Sequence, residues 1–274
     1  IIIIIMSIFI KTNKKELMMA VESIENQEKT NLDLLIQIDG PVTNNVYDFI
    51  VNYEAKGSIA NVKISISEEC RGLAYSMNNL ILKNFNQYEY FARHDSDDYS
   101  SSKRILNQIK FLEDNKEVDI VGTAFRSFNP SNNKLMHDSF FPTNHAAIAK
   151  RFAYSTPIAH ATVIFRKSFF LKAGLYNPNH KTLAEDSRLW YAGFYMNCIF
   201  ANIPEVLYFV SFNSKSYIRR SNIKQIIVIY KIRLRYIFNK KLGIIAFIKA
   251  SLEFLLRLLL SVFVNLKLNF ITSK

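Results

Sequence analysis

Length, composition and charge leave few classes of protein open. The chain has 274 residues, 49% of them hydrophobic and 21% charged, which is enough for a large core and excludes a disordered chain. Its two cysteines, Cys70 and Cys198, are too few for a disulfide framework or a zinc site, and they favour a reducing compartment.

The net charge of +12 is concentrated at one end of the chain. Residues 1–218 carry 23 basic and 22 acidic side chains, whereas residues 219–274 carry 12 basic side chains and a single acid, Glu253. A nucleic-acid-binding domain would distribute its basic residues differently, so we expect no nucleic acid as a partner. A basic and apolar terminal segment fits an anionic membrane surface better.

The first 125 residues alternate short apolar runs with helical patterns, in which apolar residues recur three or four positions apart. Strands are predicted at 2–10, 32–38, 62–66, 88–92 and 118–125. Helices are predicted at 16–26, 45–54, 73–84 and 103–114. This alternation predicts a parallel sheet covered on both faces. The apolar residues 1–5 are expected to begin the first strand, because the run is too short for a membrane span and lacks the charge of a signal peptide.

The second half of the chain is less regular. Residues 126–218 contain clusters of Asn, Pro and Ser, and they are expected to extend the same domain. From Ser221 onward the pattern becomes helical and apolar, with basic residues at regular intervals. The predicted organisation is therefore one domain over 1–220 and a helical tail over 221–274.

Acidic residues directly follow two of the predicted strands. Asp39 follows the second strand, and the cluster of Asp95, Asp97 and Asp98 follows the fourth. The carboxyl ends of parallel strands meet at one edge of a sheet, where ligands bind. Three neighbouring carboxylates repel one another unless a cation lies between them, and Mg²⁺ or Mn²⁺ combines one or two carboxylates with phosphate oxygens. A metal-bridged nucleotide-diphosphate site is one interpretation; a solvated acidic loop or a helix N-terminus is the other.

An ordered series of motifs resembles family 2 glycosyltransferases. It includes a strand, a turn and a helix that ends in the letters ESIENQ, and later the letters DSDD followed by RILNQ. The matching segments are 11–17, 20–27, 38–41, 72–78, 91–98, 104–108, 160–166, 174–176, 185–190 and 203–207. They cover roughly residues 5–220 in the order and spacing of the family, which is far more specific than any single motif.

The resemblance implies a GT-A fold, in which a Rossmann-like mixed sheet flanked by helices binds a nucleotide. It also implies an inverting transfer from a nucleotide-diphosphate sugar, with a UDP-sugar as the expected donor and Mn²⁺ or Mg²⁺ as the cofactor. Asp97 and Asp95 match the metal-binding pair of the family. Asp186 matches the general base, and Glu185 stands beside it. The alternative for this pair is a pair of acids that begins a helix.

The expected donor-binding residues extend beyond the metal pair. By position, Asp39 matches a residue near the base and ribose, although Ile38 stands where the family often has a second acid. His160 is a further candidate, and a structural hydrogen-bonding role is its alternative. The full predicted set is Asp39, Asp95, Asp97, Asp98, His160, Arg219 and Arg220, the last two matching an Arg pair that contacts the diphosphate.

The tail has no uncharged apolar stretch of the roughly 18–20 residues that a spanning helix needs. In 222–268, Lys249, Glu253 and Arg257 recur at four-residue steps, which places them along one side of a helix. This pattern predicts an amphipathic helix at a membrane surface, and the alternative is a helix that packs on the catalytic domain.

The resemblance also implies a setting for the reaction. Relatives of this kind extend bacterial surface polysaccharides, so the expected acceptor is a saccharide linked to polyprenyl diphosphate. The expected location is cytoplasmic and peripheral, on the inner face of the cell membrane. The alternative is a non-catalytic basic protein that binds membrane or nucleic acid through a degenerate nucleotide fold. A nucleotidyltransferase is disfavoured because residues 11–14 lack the glycines of a phosphate loop.

Overall fold

The computed structural model describes residues 2–178, 183–212 and 221–272, with the backbone alone for 264–272. In chain order the strands are β1 (Ile2–Phe9), β2 (Leu32–Asp39), β3 (Ile59–Ser67), β4 (Tyr90–Arg93), β5 (Tyr99–Ser100), β6 (Ile120–Asn129), β7 (Lys134–Ser139), β8 (Ile164–Arg166) and β9 (Phe200–Ser211). The helices are α1 (Lys14–Glu25), α2 (Asn44–Val51), α3 (Leu73–Asn84), α4 (Arg104–Asp114), α5 (His145–Phe152), α6 (Lys167–Ala173), α7 (Glu185–Tyr195), α8 (Ile223–Asn239) and α9 (Gly243–Thr272).

The described strands form one mixed sheet in the order β3-β2-β1-β4-β8-β6-β9-β5, with β7 paired to β6. The first four strands of this order are parallel, so the carboxyl ends of β2 and β4 lie on the same edge, as predicted. β1 and β2 are almost wholly buried because helices cover both faces of the sheet. The predicted strands and helices of the first 125 residues are confirmed, with ends that differ by a few residues.

The sheet departs from the predicted parallel arrangement next to β4. The short strand β8 lies between β4 and β6 and runs antiparallel to both. A strand of three residues is too short to leave a detectable hydrophobic pattern. The result is the mixed sheet that the family resemblance implied.

The less regular half of the chain supplies the long strand β9, which runs parallel to β6. Its pairing register shifts between Ile203 and Val206, around Pro204, which has no N–H to donate to a neighbouring strand. Beyond the shift, β9 continues past the end of β4. Its last residues therefore reach the acidic loop that follows β4.

The tail helices pack on the catalytic domain with one side. Ile232, Tyr236 and Ile237 of α8 and Ala250 of α9 belong to the same hydrophobic core as one face of the sheet. The Tyr236 hydroxyl also donates a hydrogen bond of 3.2 Å to the carbonyl oxygen of Ala149 in α5. Within the described residues, no helix combines the length and the apolar character needed to cross a membrane. The predicted boundary at 220/221 follows a segment outside the described residues and stays a prediction.

Candidate active site

The acidic cluster lies on the loop that follows the buried strand β4. Carboxylate oxygens of Asp95, Asp97 and Asp98 all lie within 4.8 Å of one another. Asp95 and Asp97 are half-buried, and Asp98 is only 2% exposed. Such a set of oxygen donors fits a hard divalent cation, because Mg²⁺ and Mn²⁺ prefer carboxylate ligands and a positive charge would relieve the repulsion within the cluster.

Asp95 is held by a buried arginine that the sequence analysis did not single out. The Arg93 guanidinium forms a two-pronged ion pair with the Asp95 carboxylate, with N–O distances of 2.6 and 3.2 Å. Burial disfavours the charge of Arg93, but Asp95 and other nearby groups outweigh this effect and raise the Arg93 pKa. The backbone N–H of Asp95 donates to the Tyr208 hydroxyl at 3.0 Å, which ties the loop to β9.

Asp98 joins the loop to the end of the same strand. Its carboxylate accepts a hydrogen bond of 2.7 Å from the backbone N–H of Ser211, the last residue of β9. Burial raises the pKa of Asp98 well above its ordinary value, and the charges of Asp97 and Asp95 raise it further. Asp98 is therefore fixed at the base of the cluster, with its carboxylate directed at the protein backbone.

Glu185 and Asp186 are the first two residues of α7, so they lie at the positive end of the helix dipole. The Asp186 carboxylate accepts a hydrogen bond of 2.6 Å from the backbone N–H of Ser187. Burial raises the pKa of Glu185, Asp186 raises it further, and the positive charges of Arg93 and Arg188 oppose this change. The pair thus begins a helix, as one of the two interpretations of the sequence predicted, and Glu185 also lies within electrostatic reach of Arg93.

Tyr176 is close enough to both acidic groups for their charges to act on its hydroxyl. Burial raises the pKa of its hydroxyl; Arg93 lowers it, and Asp186, Asp95 and Glu185 raise it. Charges from the loop after β4 and from the start of α7 therefore both act on the Tyr176 hydroxyl. Asp95 and the Glu185–Asp186 pair therefore lie near a common residue, and Arg93 acts on the same hydroxyl.

His160 packs directly against Tyr176. Its Nε2 atom is 2.6 Å from the Tyr176 hydroxyl oxygen, and its ring contacts the rings of Tyr176 and Trp190. Burial and the charge of Arg93 hold the His160 pKa well below its usual range, so the ring is neutral. Trp190 itself is a core residue, packed against Phe165 and Phe200, and it does not face a ligand site.

Asp39 lies two strands away from β4 on the same edge of the sheet. Both of its carboxylate oxygens accept backbone hydrogen bonds of 2.8 Å, one from Arg71 and one from Gly72, the residue that precedes α3. Asp39 therefore anchors the start of α3 to the end of β2. A cavity of about 320 Å³ opens beside it, lined by Ile66, Ser67, Glu68, Glu69, Arg71 and Tyr75.

Some predicted residues could not be placed, and some residues of the site were not predicted. Arg219 and Arg220 lie outside the described residues. Arg93 left a signal in the sequence, because an arginine at the end of an apolar strand shares a strand face with the residue two positions later. Tyr176 and Tyr208 left none, since nothing local distinguishes a buried tyrosine at an active site from one in a core.

Comparison with solved structures identifies the fold. The fold is that of GT-A glycosyltransferases, as shown by a mannosyltransferase from Pyrobaculum calidifontis in complex with GDP-Man and Mn²⁺. The TM-score is 0.64 at 17% sequence identity, and the match covers 85% of this chain and 64%, less than two thirds, of that chain.

The family follows from the sequence. The family model of Glycosyl transferase family 2 matches residues 3–173, well over half of the chain, so the chain belongs to this family and is a glycosyltransferase. The amylovoran biosynthesis glycosyltransferase AmsE of Erwinia amylovora is 25% identical over 93% of this chain and 91% of its own length. An Escherichia coli UDP-Gal:alpha-D-GlcNAc-diphosphoundecaprenol beta-1,3-galactosyltransferase is 26% identical over 86% and 82% of the two chains. Membership in this family favours an enzyme over the non-catalytic alternative.

Proposed function

We propose that the protein transfers a sugar, with inversion, from a UDP-sugar to a saccharide linked to polyprenyl diphosphate, in the synthesis of a bacterial surface polysaccharide. The observation that carries this proposal is the cluster of Asp95, Asp97 and Asp98 carboxylates within 4.8 Å of one another, with the Glu185–Asp186 pair close enough to act on Tyr176 together with Asp95. The acidic loop suits a nucleotide diphosphate with its cation, and the Glu185–Asp186 pair suits an acceptor hydroxyl. The printed names of the Escherichia coli and Erwinia amylovora relatives support the donor, the acceptor and the pathway class.

The donor diphosphate is proposed to bind at the acidic loop. Asp97, with Asp95, would hold Mn²⁺ or Mg²⁺, which neutralises the charge of the departing nucleoside diphosphate. By its position in the family motif, Asp97 is the stronger candidate for direct contact with the metal, and its carboxylate oxygens lie within 4.8 Å of those of Asp95 and Asp98. Asp98 keeps the loop in place through Ser211. Arg219 and Arg220 would add positive charge at the diphosphate.

The nucleoside is proposed to bind at the edge of the sheet near Asp39. The cavity of about 320 Å³ beside this residue is open to solvent and lined by polar and aromatic side chains. Among these, the Arg71 guanidinium lies 4.8 Å from the centre of the Tyr75 ring. Asp39 would act there by holding the backbone of Arg71 and Gly72 rather than through a free carboxylate.

Asp186 is proposed to act as the general base. The acceptor hydroxyl oxygen attacks the anomeric carbon of the donor, its proton passes to the Asp186 carboxylate, and the bond from that carbon to the β-phosphate oxygen breaks. One displacement inverts the anomeric configuration and needs no covalent intermediate with the enzyme. Glu185, whose pKa is raised by burial, stands beside the base, and neutral His160 supports the Tyr176 hydroxyl.

The tail is proposed to bind the inner face of the cell membrane as a peripheral element. α9 carries a second apolar side, exposed and opposite the side that packs on the protein, formed by Ile244, Ile245, Ile248, Leu252, Leu255, Leu256, Leu259 and Leu260. Exposed basic residues of the tail accompany it: Lys224, Lys231, Arg235, Lys240, Lys241 and Lys249. An apolar surface with cations around it matches an anionic bilayer surface.

Substitution of the proposed base tests this function. In transfer from UDP-Gal, UDP-Glc or UDP-GlcNAc to a GlcNAc-diphosphate lipid, we expect Asp186→Asn to lower kcat by roughly 100- to 10,000-fold, because a general base contributes that much. Asp114→Asn, an exposed acid at the end of α4, is the matched control and should leave kcat unchanged. Nuclear magnetic resonance of the product should show the anomeric configuration opposite to that of the donor. Retention, or full activity of Asp186→Asn, would contradict the mechanism.

A further inference from the structure

Asp95 is held by three different side chains. The Arg93 guanidinium pairs with its carboxylate, and the Nδ1 atom of His94 lies 2.8 Å from its carbonyl oxygen. Its backbone N–H donates a hydrogen bond of 3.0 Å to the Tyr208 hydroxyl. Arg93 and His94 are the two residues directly before Asp95, whereas Tyr208 lies on β9, 113 residues further along the chain. Tyr208 therefore fixes the position of Asp95 relative to a distant strand of the sheet.

The Tyr208 side chain itself has little freedom to move. It is completely buried, with the Arg104 guanidinium 4.6 Å from its ring centre and the His94 ring 5.2 Å away. Arg104 also donates a hydrogen bond of 2.7 Å to the carbonyl oxygen of Arg93, at the end of β4. The hydroxyl that accepts from Asp95 is thus a rigid acceptor, because packed side chains hold its ring in place.

The backbone of Tyr208 holds the other end of the acidic loop. It pairs with Ser100 of β5, the short strand that follows the loop. Three residues further on β9, the N–H of Ser211 donates to the Asp98 carboxylate. One short stretch of β9 therefore contacts the loop at Asp95, at Asp98 and at the strand beyond it. Tyr208 takes part with both its side chain and its backbone.

We infer that Tyr208 is a positioning residue for Asp95 in the binding of the divalent cation. The inference rests on the proposed role of Asp95 and Asp97 as ligands of Mn²⁺ or Mg²⁺. Three acids of the loop repel one another, and the hold on Asp95 opposes their separation, so the carboxylates stay within 4.8 Å before the cation arrives. A ligand that is already ordered loses less conformational entropy on binding. Tyr208 thus raises the affinity of the loop for the cation without contacting it.

The test is the Mn²⁺ concentration that supports half-maximal nucleotide binding, obtained by calorimetry over a range of Mn²⁺ concentrations. The nucleotide is whichever of UDP, GDP and dTDP the wild-type protein binds. We expect Tyr208→Phe, which removes only the hydroxyl, to raise this concentration roughly tenfold, because groups that orient metal ligands typically contribute 10- to 100-fold to affinity. Nucleotide affinity at saturating Mn²⁺ should stay within about twofold of wild type, since enough metal compensates for a weaker metal site.

The matched control is Tyr99→Phe, at the first residue of β5. The Tyr99 ring stacks on that of Phe209 at 4.4 Å, and the described residues include no hydrogen bond from its hydroxyl to the acidic loop. This variant should need the same Mn²⁺ concentration as wild type. In an Asp95→Asn background, Tyr208→Phe should shift that concentration by less than about twofold, because the carboxylate it positions is already lost.

A merely structural role would give a different pattern. An unchanged Mn²⁺ requirement in Tyr208→Phe would overturn the inference, as would an undiminished shift in the Asp95→Asn background. Loss of nucleotide affinity at saturating Mn²⁺ together with lower thermal stability, or failure of Tyr208→Phe to fold, would assign the hydroxyl to stability and overturn it as well. Failure of the wild-type protein to bind any of the three nucleotides with Mn²⁺ would contradict the proposed donor site instead.

Discussion

Arg93 carries a positive charge into the middle of the acidic site. It pairs directly with Asp95, and its charge also acts on Asp98, Glu185 and Tyr176. A buried cation in this place offsets part of the repulsion among the carboxylates before any donor binds. Carboxylate oxygens of Asp97, Asp95 and Asp98 lie within 4.8 Å of one another, which agrees with the proposed contact between Asp97 and the metal.

Removing the charge of Arg93 should therefore destabilise the folded protein. We expect Arg93→Met to lower the free energy of unfolding by about 1–3 kcal/mol, because the half-buried Asp95 carboxylate would lose its charged hydrogen-bond partner. Adding Asp95→Asn to this variant should recover part of the loss, since no unpaired charge then remains. Urea denaturation monitored by fluorescence of Trp190 measures both effects.

The matched control is an arginine–aspartate pair at the surface. Arg126 and Asp138 form an ion pair between β6 and β7, where solvent screens the interaction, so Arg126→Met should change stability far less than Arg93→Met. If Arg93→Met and Arg126→Met lower the free energy of unfolding equally, burial of the Arg93–Asp95 pair does not account for its contribution to stability.

At the scale of residues, short motifs predicted the acids but not their partners. Asp95, Asp97 and Asp98 and the pair Glu185–Asp186 stand in patterns that the family resemblance identifies, and the structure brings them together. The hydrogen bond from Ser211 to Asp98 joins positions 113 residues apart, and no local pattern signals it. Contacts of that separation depend on the sheet order, which a single sequence does not reveal.

At the scale of elements, α9 has two apolar sides. One side packs on the protein through residues such as Ala250 and Phe254, whose ring stacks on that of Tyr230 at 4.2 Å. The opposite side is exposed over several turns, with Leu252 61% and Leu256 53% accessible. A surface helix of a soluble protein normally has one apolar side, and a contiguous second side indicates an interaction surface. The two interpretations of the tail are therefore compatible, since α9 packs on the domain and still offers an apolar surface.

The exposed side of α9 should bind anionic bilayers. We expect the double substitution Leu252→Glu with Leu256→Glu to reduce binding to phosphatidylglycerol vesicles at least tenfold, because it removes buried apolar area and adds repulsive charge. Flotation of vesicles with bound protein measures the change.

The control for this prediction is an equal change elsewhere on the surface. Leu106 and Leu171 are also exposed leucines, on α4 and α6, and their double substitution by Glu should leave vesicle binding unaltered. If both double variants bind alike, α9 does not dock on membranes, and a rise in apparent size on gel filtration that is lost in the α9 variant would point to a second copy of the chain instead.

Element prediction succeeded where the hydrophobic period was long and failed where strands were short. α3 occupies the predicted 73–84, because its apolar residues follow a helical period and Gly72 precedes it with a positive φ of 89°. β5 and β8 have two and three residues, too few for any period to emerge. β9 is long, but Pro204 interrupts it, and a proline inside an apolar run argues against a strand in the sequence.

At the scale of the whole molecule, the site is built from parts that are distant in the chain. The acidic loop follows β4, and β9 anchors it through Tyr208 and Ser211. α7 begins with Glu185 and Asp186, whose charges act on Tyr176 together with that of Asp95. In the tail, α8 packs into the same core as α7, and one apolar side of α9 is exposed at the surface. The proposed nucleotide site and the proposed membrane-binding helix are thus connected through one hydrophobic core.

Calorimetric titration of UDP into the protein, with and without Mn²⁺, tests the central claim most directly. We expect binding that depends on Mn²⁺ and weakens at least tenfold in Asp97→Ala, because the metal would bridge that carboxylate and the diphosphate. Asp114→Ala should bind like wild type. Tight binding of GDP or dTDP in place of UDP would show that the donor sugar is linked to that nucleotide instead. Failure of all three nucleotides to bind in the presence of Mn²⁺, or equal binding by wild type and Asp97→Ala, would contradict the account of the acidic loop as the donor site.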